Sequence, residues 1–149
     1  MSPRPLLLLI SLTVAVPAAM LAMAAGPIPD RAVLAERAAR RFPQPVRVGD
    51  LIGRDVLRPV EAQNVIGRVD AIVKRPDGQL DLVMRYGGVL GFGSRLIVVP
   101  LDAAALMGEH VAMLELTEDQ LDALPTVPAP SGALAPATMI RMALVKPFH

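Results

Sequence analysis

Few side chains in this sequence could carry out a reaction. After the first 25 residues, the hydroxyl, phenol and imidazole groups are Ser94, Ser131, Thr117, Thr126, Thr138, Tyr86, His110 and His149, and the chain has no cysteine. Covalent hydrolysis needs a nucleophile with a base in hydrogen-bond reach and an acid to orient that base. Thr117 is engaged as a helix cap, Thr126 and Ser131 lie among prolines, and Thr138 and His149 lie in the tail. Ser94 and His110 remain as the one plausible nucleophile and base pair, and His110, opening a strand, reads as a solvated or core-edge histidine and not as a base. Two histidines 39 positions apart do not give metal-ligand spacing, and Asp77 to Asp81 lacks the acidic spacing of a calcium loop. Asp50 and Asp55 flank a strand instead of converging as an acid/base dyad. No catalytic residue, cofactor or metal is therefore expected.

The run Gly87-Gly88-Val89-Leu90-Gly91-Phe92-Gly93 resembles a phosphate loop only in composition. No Lys-Ser or Lys-Thr follows it, and it leads into a strand, not a helix. Val89 and Leu90 offer no charge to a phosphate, so Gly88 to Gly91 is not read as a nucleic-acid clamp. It reads as a strand connection with positive φ values, its apolar Leu90 and Phe92 turned inward or presented at a rim.

The elements around it follow from periodicity and punctuation. Of the twelve prolines after residue 25, nine lie in Pro27–Pro45 and Pro125–Pro147, whereas nine of the eleven glycines lie in Val46–Leu124. This places a strand-rich domain at 46–124, between a leader at 25–45 and a Pro-rich linker with an apolar tail at 125–149. Asp30–Phe42 reads as a short helix with Asp30 as N-cap, Pro43 as a stop and a thin apolar face, Val33, Leu34 and Ala38, hence a loosely docked or mobile leader helix, with a specific partner helix as the alternative. Strands are expected at Asp50–Leu57 with a bend at Gly53, at Val65–Lys74 and Leu80–Tyr86 as a hairpin turning through Pro76-Asp77-Gly78, at Arg95–Val99 ending on Pro100, and at His110–Glu115. Asp102–Met107, closed by Gly108, reads as a helical turn. Thr117-Glu118-Asp119-Gln120 is a capping box with Leu116 and Leu121 as a hydrophobic staple. Pro125–Pro136 reads as an extended linker. Thr138–Lys146 is too apolar for a free tail and should dock, on its own domain or, as the alternative, on a second chain. Short strands with glycine corners suggest a small antiparallel barrel, closed or nearly so, with short flanking helices.

Of the first 25 residues 18 are apolar, which accounts for the raised mean hydropathy of +0.48. Arg4, an apolar run from Leu6 to Val16 and Ala22-Met23-Ala24 form the layout of a secretory signal peptide over 1–24, with a cut between Ala24 and Ala25. The alternative is an uncleaved anchor, since Leu6–Ala25 is 20 residues and could span a bilayer at about 1.5 Å per residue. Pro17 favours the signal peptide. Fifteen basic against fourteen acidic residues leave no excess for a nucleic-acid partner.

Val48-Gly49-Asp50-Leu51-Ile52-Gly53-Arg54-Asp55-Val56, Ile66-Gly67-Arg68-Val69-Asp70, Pro76-Asp77-Gly78, the run from Gly87 to Arg95, and Val98-Val99-Pro100-Leu101 together resemble the PRC-barrel family over 46–124. That family is named for the cytoplasmic domain of the photosynthetic reaction centre H subunit and includes a domain of a ribosome-maturation factor. The resemblance implies a small barrel used as an adaptor, generally without catalysis, and puts Gly53, Gly67, Gly78, Gly87, Gly88, Gly91, Gly93 and Pro100 in the family motif. Val60–Asn64 departs from the usual Asp-Gly turn, and an exported chain does not suit the ribosomal role. The expectation is a mainly β, exported, non-enzymatic adaptor of the bacterial cell envelope, periplasmic or secreted, with a protein partner. The alternative is an inner-membrane-anchored accessory subunit of an electron-transfer or transport complex. Self-association through the tail is a further possibility.

Overall fold

The computed structural model describes residues 26–58, 64–88 and 92–146; the signal peptide expected over 1–24, the departure at Val60 and the glycine-run residues Val89, Leu90 and Gly91 lie outside them. The chain is mainly β. Helix α1 spans Arg31–Ala39, with the Asp30 carboxylate accepting from the Ala32 amide at its start. Contrary to the loose docking expected, Leu34 is fully buried in the main core and Ala38 packs with Ala105 and Ala143. The apolar face is as thin as the sequence indicates; arginines on either side of it, described below, supply the rest of the attachment. Replacing Leu34 with Ala should lower unfolding free energy by about 3 kcal/mol, through lost burial and the cavity left behind. Urea denaturation of the variant checks this.

Strand β1 (Gln44–Arg47) pairs antiparallel with β8 (Met139–Met142), in the register Gln44↔Met142 to Arg47↔Met139. The tail therefore docks on its own chain, and leader and tail are joined to each other. The strand expected over Asp50–Leu57 is instead a helical turn, α2 (Val48–Leu51), followed by the short strand β2 (Asp55–Leu57). Val48 and Leu51, three residues apart, are both buried from one helical face, and that burial outweighs the weak period of two.

The hairpin forms as its punctuation indicates: β3 (Val65–Lys74) and β4 (Leu80–Tyr86) pair through a turn in which Gly78 adopts φ +85 and the Asp77 carboxylate accepts from the Gln79 amide at 3.0 Å. β5 (Arg95–Pro100) follows. The helical turn expected over Asp102–Met107 is only a 3₁₀ turn at Leu101–Ala103; Ala104–Met107 is strand β6, hairpinned to β7 (His110–Met113) across Gly108. Ala104, Ala105, Leu106 and Met107 are all buried, so the strand is covered on both faces and shows no alternation in sequence.

The main sheet has the order β5-β4-β3-β2-β7-β6. Its pairs are antiparallel except β2 with β7, which is parallel and corrects the all-antiparallel expectation. Among the described residues no ladder joins β5 to β6, so hydrogen bonds do not close the sheet into a barrel. The edges are nonetheless protected. On β6, Leu106 exchanges backbone hydrogen bonds with Ala143 and Val145 of the tail at 2.7 and 2.8 Å. On β5, Leu96 accepts from the Val127 amide at 2.9 Å and Pro100 removes a donor. The residues read as a linker thus form a strap, which also reaches β3 where the Leu134 amide donates to the Ile72 carbonyl. Helix α3 (Glu118–Asp122) carries both halves of the capping box, with Leu116 and Leu121 buried. No helix among the described residues is long and apolar enough to cross a membrane.

Candidate functional site

A cleft of about 670 Å³ opens where β2, β3 and β4 meet the start of α3, lined by Asp55, Arg68, Arg85, Tyr86, Ser94 and Glu118 with Asn64–Gly67 and the glycines Gly87 and Gly88. The sheet register places its charges. Arg68 and Arg85 are directly opposite each other on β3 and β4, an unfavourable like-charge pair. Asp55, opposite Arg68 on β2, offsets the first at 3.2 Å, and Asp70 the second at 3.0 Å. Glu118 at the mouth pairs with Arg58 at 2.5 Å.

Tyr86 forms the buried end of the cleft. Its hydroxyl donates to Asp122 at 2.6 Å, and the Arg95 guanidinium lies 5.5 Å from its ring centroid. Arg95 in turn donates to the carbonyls of Leu121, Asp122 and Leu124, closing the C-terminal end of α3. Burial pushes the phenol above its ordinary value, and the hydrogen bond to Asp122 and the negative charges of Asp122 and Glu118 add to this, with Arg95 opposing. As the chain has a single tyrosine, ultraviolet titration reads it directly: at pH 10, where a free phenol is half ionised, Tyr86 should remain protonated. Tyr86→Phe should cost about 1 kcal/mol, measured by thermal unfolding.

Gly67, in the floor, has the Arg85 carbonyl oxygen 2.4 Å from where a Cβ would stand. Gly88 adopts φ +86, and a Cβ there would meet the Phe92 carbonyl oxygen at 2.7 Å and the Ser94 amide at 2.8 Å. Gly67, Gly87 and Gly88 thus shape the cleft. Gly53 and Gly78 lie in turns away from it, Gly93 precedes Ser94, and Pro100 ends β5 opposite Asp81. Gly91 lies outside the described residues.

Ser94 lines the cleft and His110 does not. β5, which follows Ser94, and β7, which His110 opens, are separated by three strands, so the one nucleophile and base pair is not brought together. Asp50 lies in α2 and Asp55 is paired with Arg68, so these carboxylates do not converge as a dyad. Asp81 is buried and paired with Arg31 at 2.8 Å and Arg75 at 3.6 Å. No group of three metal-ligating side chains occurs among the described residues. Two apolar residues stand out here: Val65, in the cleft wall, is 59% exposed, and Phe92, outside the lining but with its carbonyl beside Gly88, is 82% exposed.

The assembly of Tyr86, Arg95 and Asp122 escapes sequence reading, because its members sit on β4, β5 and α3 with no local spacing to connect them. Arg68 and Arg85 alternate visibly along their strands, but only the register opposes them. Comparison with known family models and with curated proteins finds no match to this chain.

Proposed function

We propose that this protein is an exported, non-enzymatic binding module of the bacterial cell envelope, a PRC-type barrel whose cleft rim holds a protein partner. One observation carries the reading. The charged side chains lining the cleft are committed to ion pairs and its phenol to Asp122, while Val65 and Phe92 are presented to solvent beside them. Such a surface lacks a group poised for proton transfer and has the exposed aromatic that protein interfaces favour. The signal-peptide layout of residues 1–24 and the resemblance over 46–124 support export and the adaptor role.

The test is cross-linked capture of partners from the cell envelope by the tagged full chain. Phe92→Ser is expected to reduce capture about tenfold, the scale of a central aromatic contact, and Ser94→Ala and His110→Ala are expected to leave it unchanged. Capture indifferent to Phe92→Ser, or an activity of the purified chain abolished by Ser94→Ala, would count against the proposal. The 20-residue apolar stretch Leu6–Ala25 favours a second reading, an anchored accessory subunit. Fractionation separates the two: a chain starting near Ala25 supports export with cleavage, and an intact N-terminus in the membrane supports the anchor.

A further inference from the structure

The leader docks on the sheet through an interface that is largely ionic. Arg31, Arg37 and Arg41 engage two buried carboxylates, one on β4 and one just after β7: Arg31 lies 2.8 Å from Asp81, and Arg37 and Arg41 each lie 2.5 Å from Glu115, whose side chain is 6% exposed. Between them Leu34 fills the core, and ahead of them the Gln120 side chain donates to the Pro27 carbonyl at 2.9 Å. The surface beneath α1 therefore recognises a helix with Arg, Leu and Arg at positions 31, 34 and 37, followed by Arg41 just past its C-terminal end.

The connection from this helix to β1 is short and strained. Only residues 40–43 separate Ala39 from Gln44, and among them Phe42 has φ +49, the single positive φ of a non-glycine residue among those described. A side chain with a Cβ disfavours this region, and Pro43 immediately after it favours an extended Phe42 instead. The Phe42 side chain is 77% exposed, so its own packing does not offset the strain. Extending Phe42 would relieve the strain and swing α1 off its sheet. The contacts α1 leaves can be remade only on a surface with the same pocket and the same two acids at the same separation, which a second copy of the chain provides.

We propose that the protein dimerises by exchanging residues 26–41, each copy laying α1 on the other's sheet with Phe42 and Pro43 as the hinge. Every contact of the docked helix is preserved, including the Leu144 amide bonded to the Arg41 carbonyl at 2.8 Å. What changes is the hinge, where strain is released and the exposed side chains of Phe42 and Leu144 gain a place to pack. The exchange is bimolecular and grows with concentration.

The experiment uses two full-length single variants, Ala38→Cys and Ala143→Cys, at a pair of positions that pack together beneath α1. They are mixed, unfolded in urea and refolded in nonionic detergent at low and high concentration. Because the chain has no cysteine of its own, a bridge between positions 38 and 143 found by mass spectrometry can only join two copies. The bridge should appear, increase with concentration and fall about tenfold when both chains also carry Phe42→Gly, since glycine adopts positive φ without strain. Light scattering on the full chain without cysteines should show a dimer reduced by Phe42→Gly in the same way. A chain that stays monomeric without the bridge, or a dimer indifferent to Phe42→Gly, overturns the proposal.

Discussion

Gly67→Ala is expected to be among the most damaging single-methyl changes available in this chain, lowering stability by about 3 kcal/mol or preventing folding. The added Cβ would lie 2.4 Å from the Arg85 carbonyl oxygen and 2.6 Å from the Met84 side chain. Met84 can rotate away, but the Arg85 carbonyl belongs to β4, where Tyr86, the next residue, is the register partner of Gly67, and it cannot retreat without parting the ladder. Gly53 provides the contrast. Nothing lies within 4 Å of its added Cβ, but its φ is +83, so Gly53→Ala should cost only the left-handed backbone penalty, about 1 kcal/mol. Urea midpoints of the two variants separate a requirement for space from one for conformation. Similar midpoints would mean the hairpin yields near Gly67.

Glu115 should give the second large effect. Its carboxylate is nearly buried and receives two arginines from the leader, while Arg41 also has a buried Nη1 without a hydrogen-bond partner among the described residues. Removing the acid leaves that guanidinium uncompensated. The full penalty of breaking a buried pair is about 3–5 kcal/mol. Because Arg37 is half exposed and partly solvated, Glu115→Gln should cost less, about 2 kcal/mol. Burial alone would raise the Glu115 carboxyl, but the hydrogen bonds and charges of Arg41 and Arg37 outweigh it and hold the group below its ordinary value of 4.5. A carboxylate depressed in the folded state stabilises above its unfolded pKa and loses that contribution as pH falls through the folded one. The gap between wild type and Glu115→Gln should therefore be full at pH 7 and narrow as pH falls below about 4.5. Asp102, whose carboxyl burial raises despite Arg31, contributes with the opposite sign to both proteins and cancels in the comparison. Equal stabilities at pH 7 would show that the leader is held without this clamp.

Where a short stretch of sequence contained all the partners, it was legible. Asp30, the turn at Asp77-Gly78 and the box from Thr117 to Gln120 each cap or close their own neighbourhood, and all three form as read. Reading failed where burial came from distant segments. Asp81 alternates with Leu80 and Leu82 like an outward residue, but Arg31 and Arg75 cover it and it is buried. Ala104–Met107 lacks any period because it is covered on both faces. The cleft was half visible: the glycine run marked its rim and Ser94, whereas the opposed arginines and the buried tyrosine depended on strand register.

The sequence by itself determined the mainly β character, the hairpin, the capped helices and the poverty of reactive groups, because these depend on contacts within about ten residues or on composition alone. Tertiary structure decided that the leader is clamped and not loose, that the tail pairs with β1 and covers the β6 edge, and that β2 runs parallel to β7. It also decided which acids are sunk and which arginines meet them. Each of these outcomes turns on the burial of one segment by another far away in the chain. Local preference is worth tenths of a kcal/mol per residue, and a buried side chain or ion pair several times that, so the distant contact prevails.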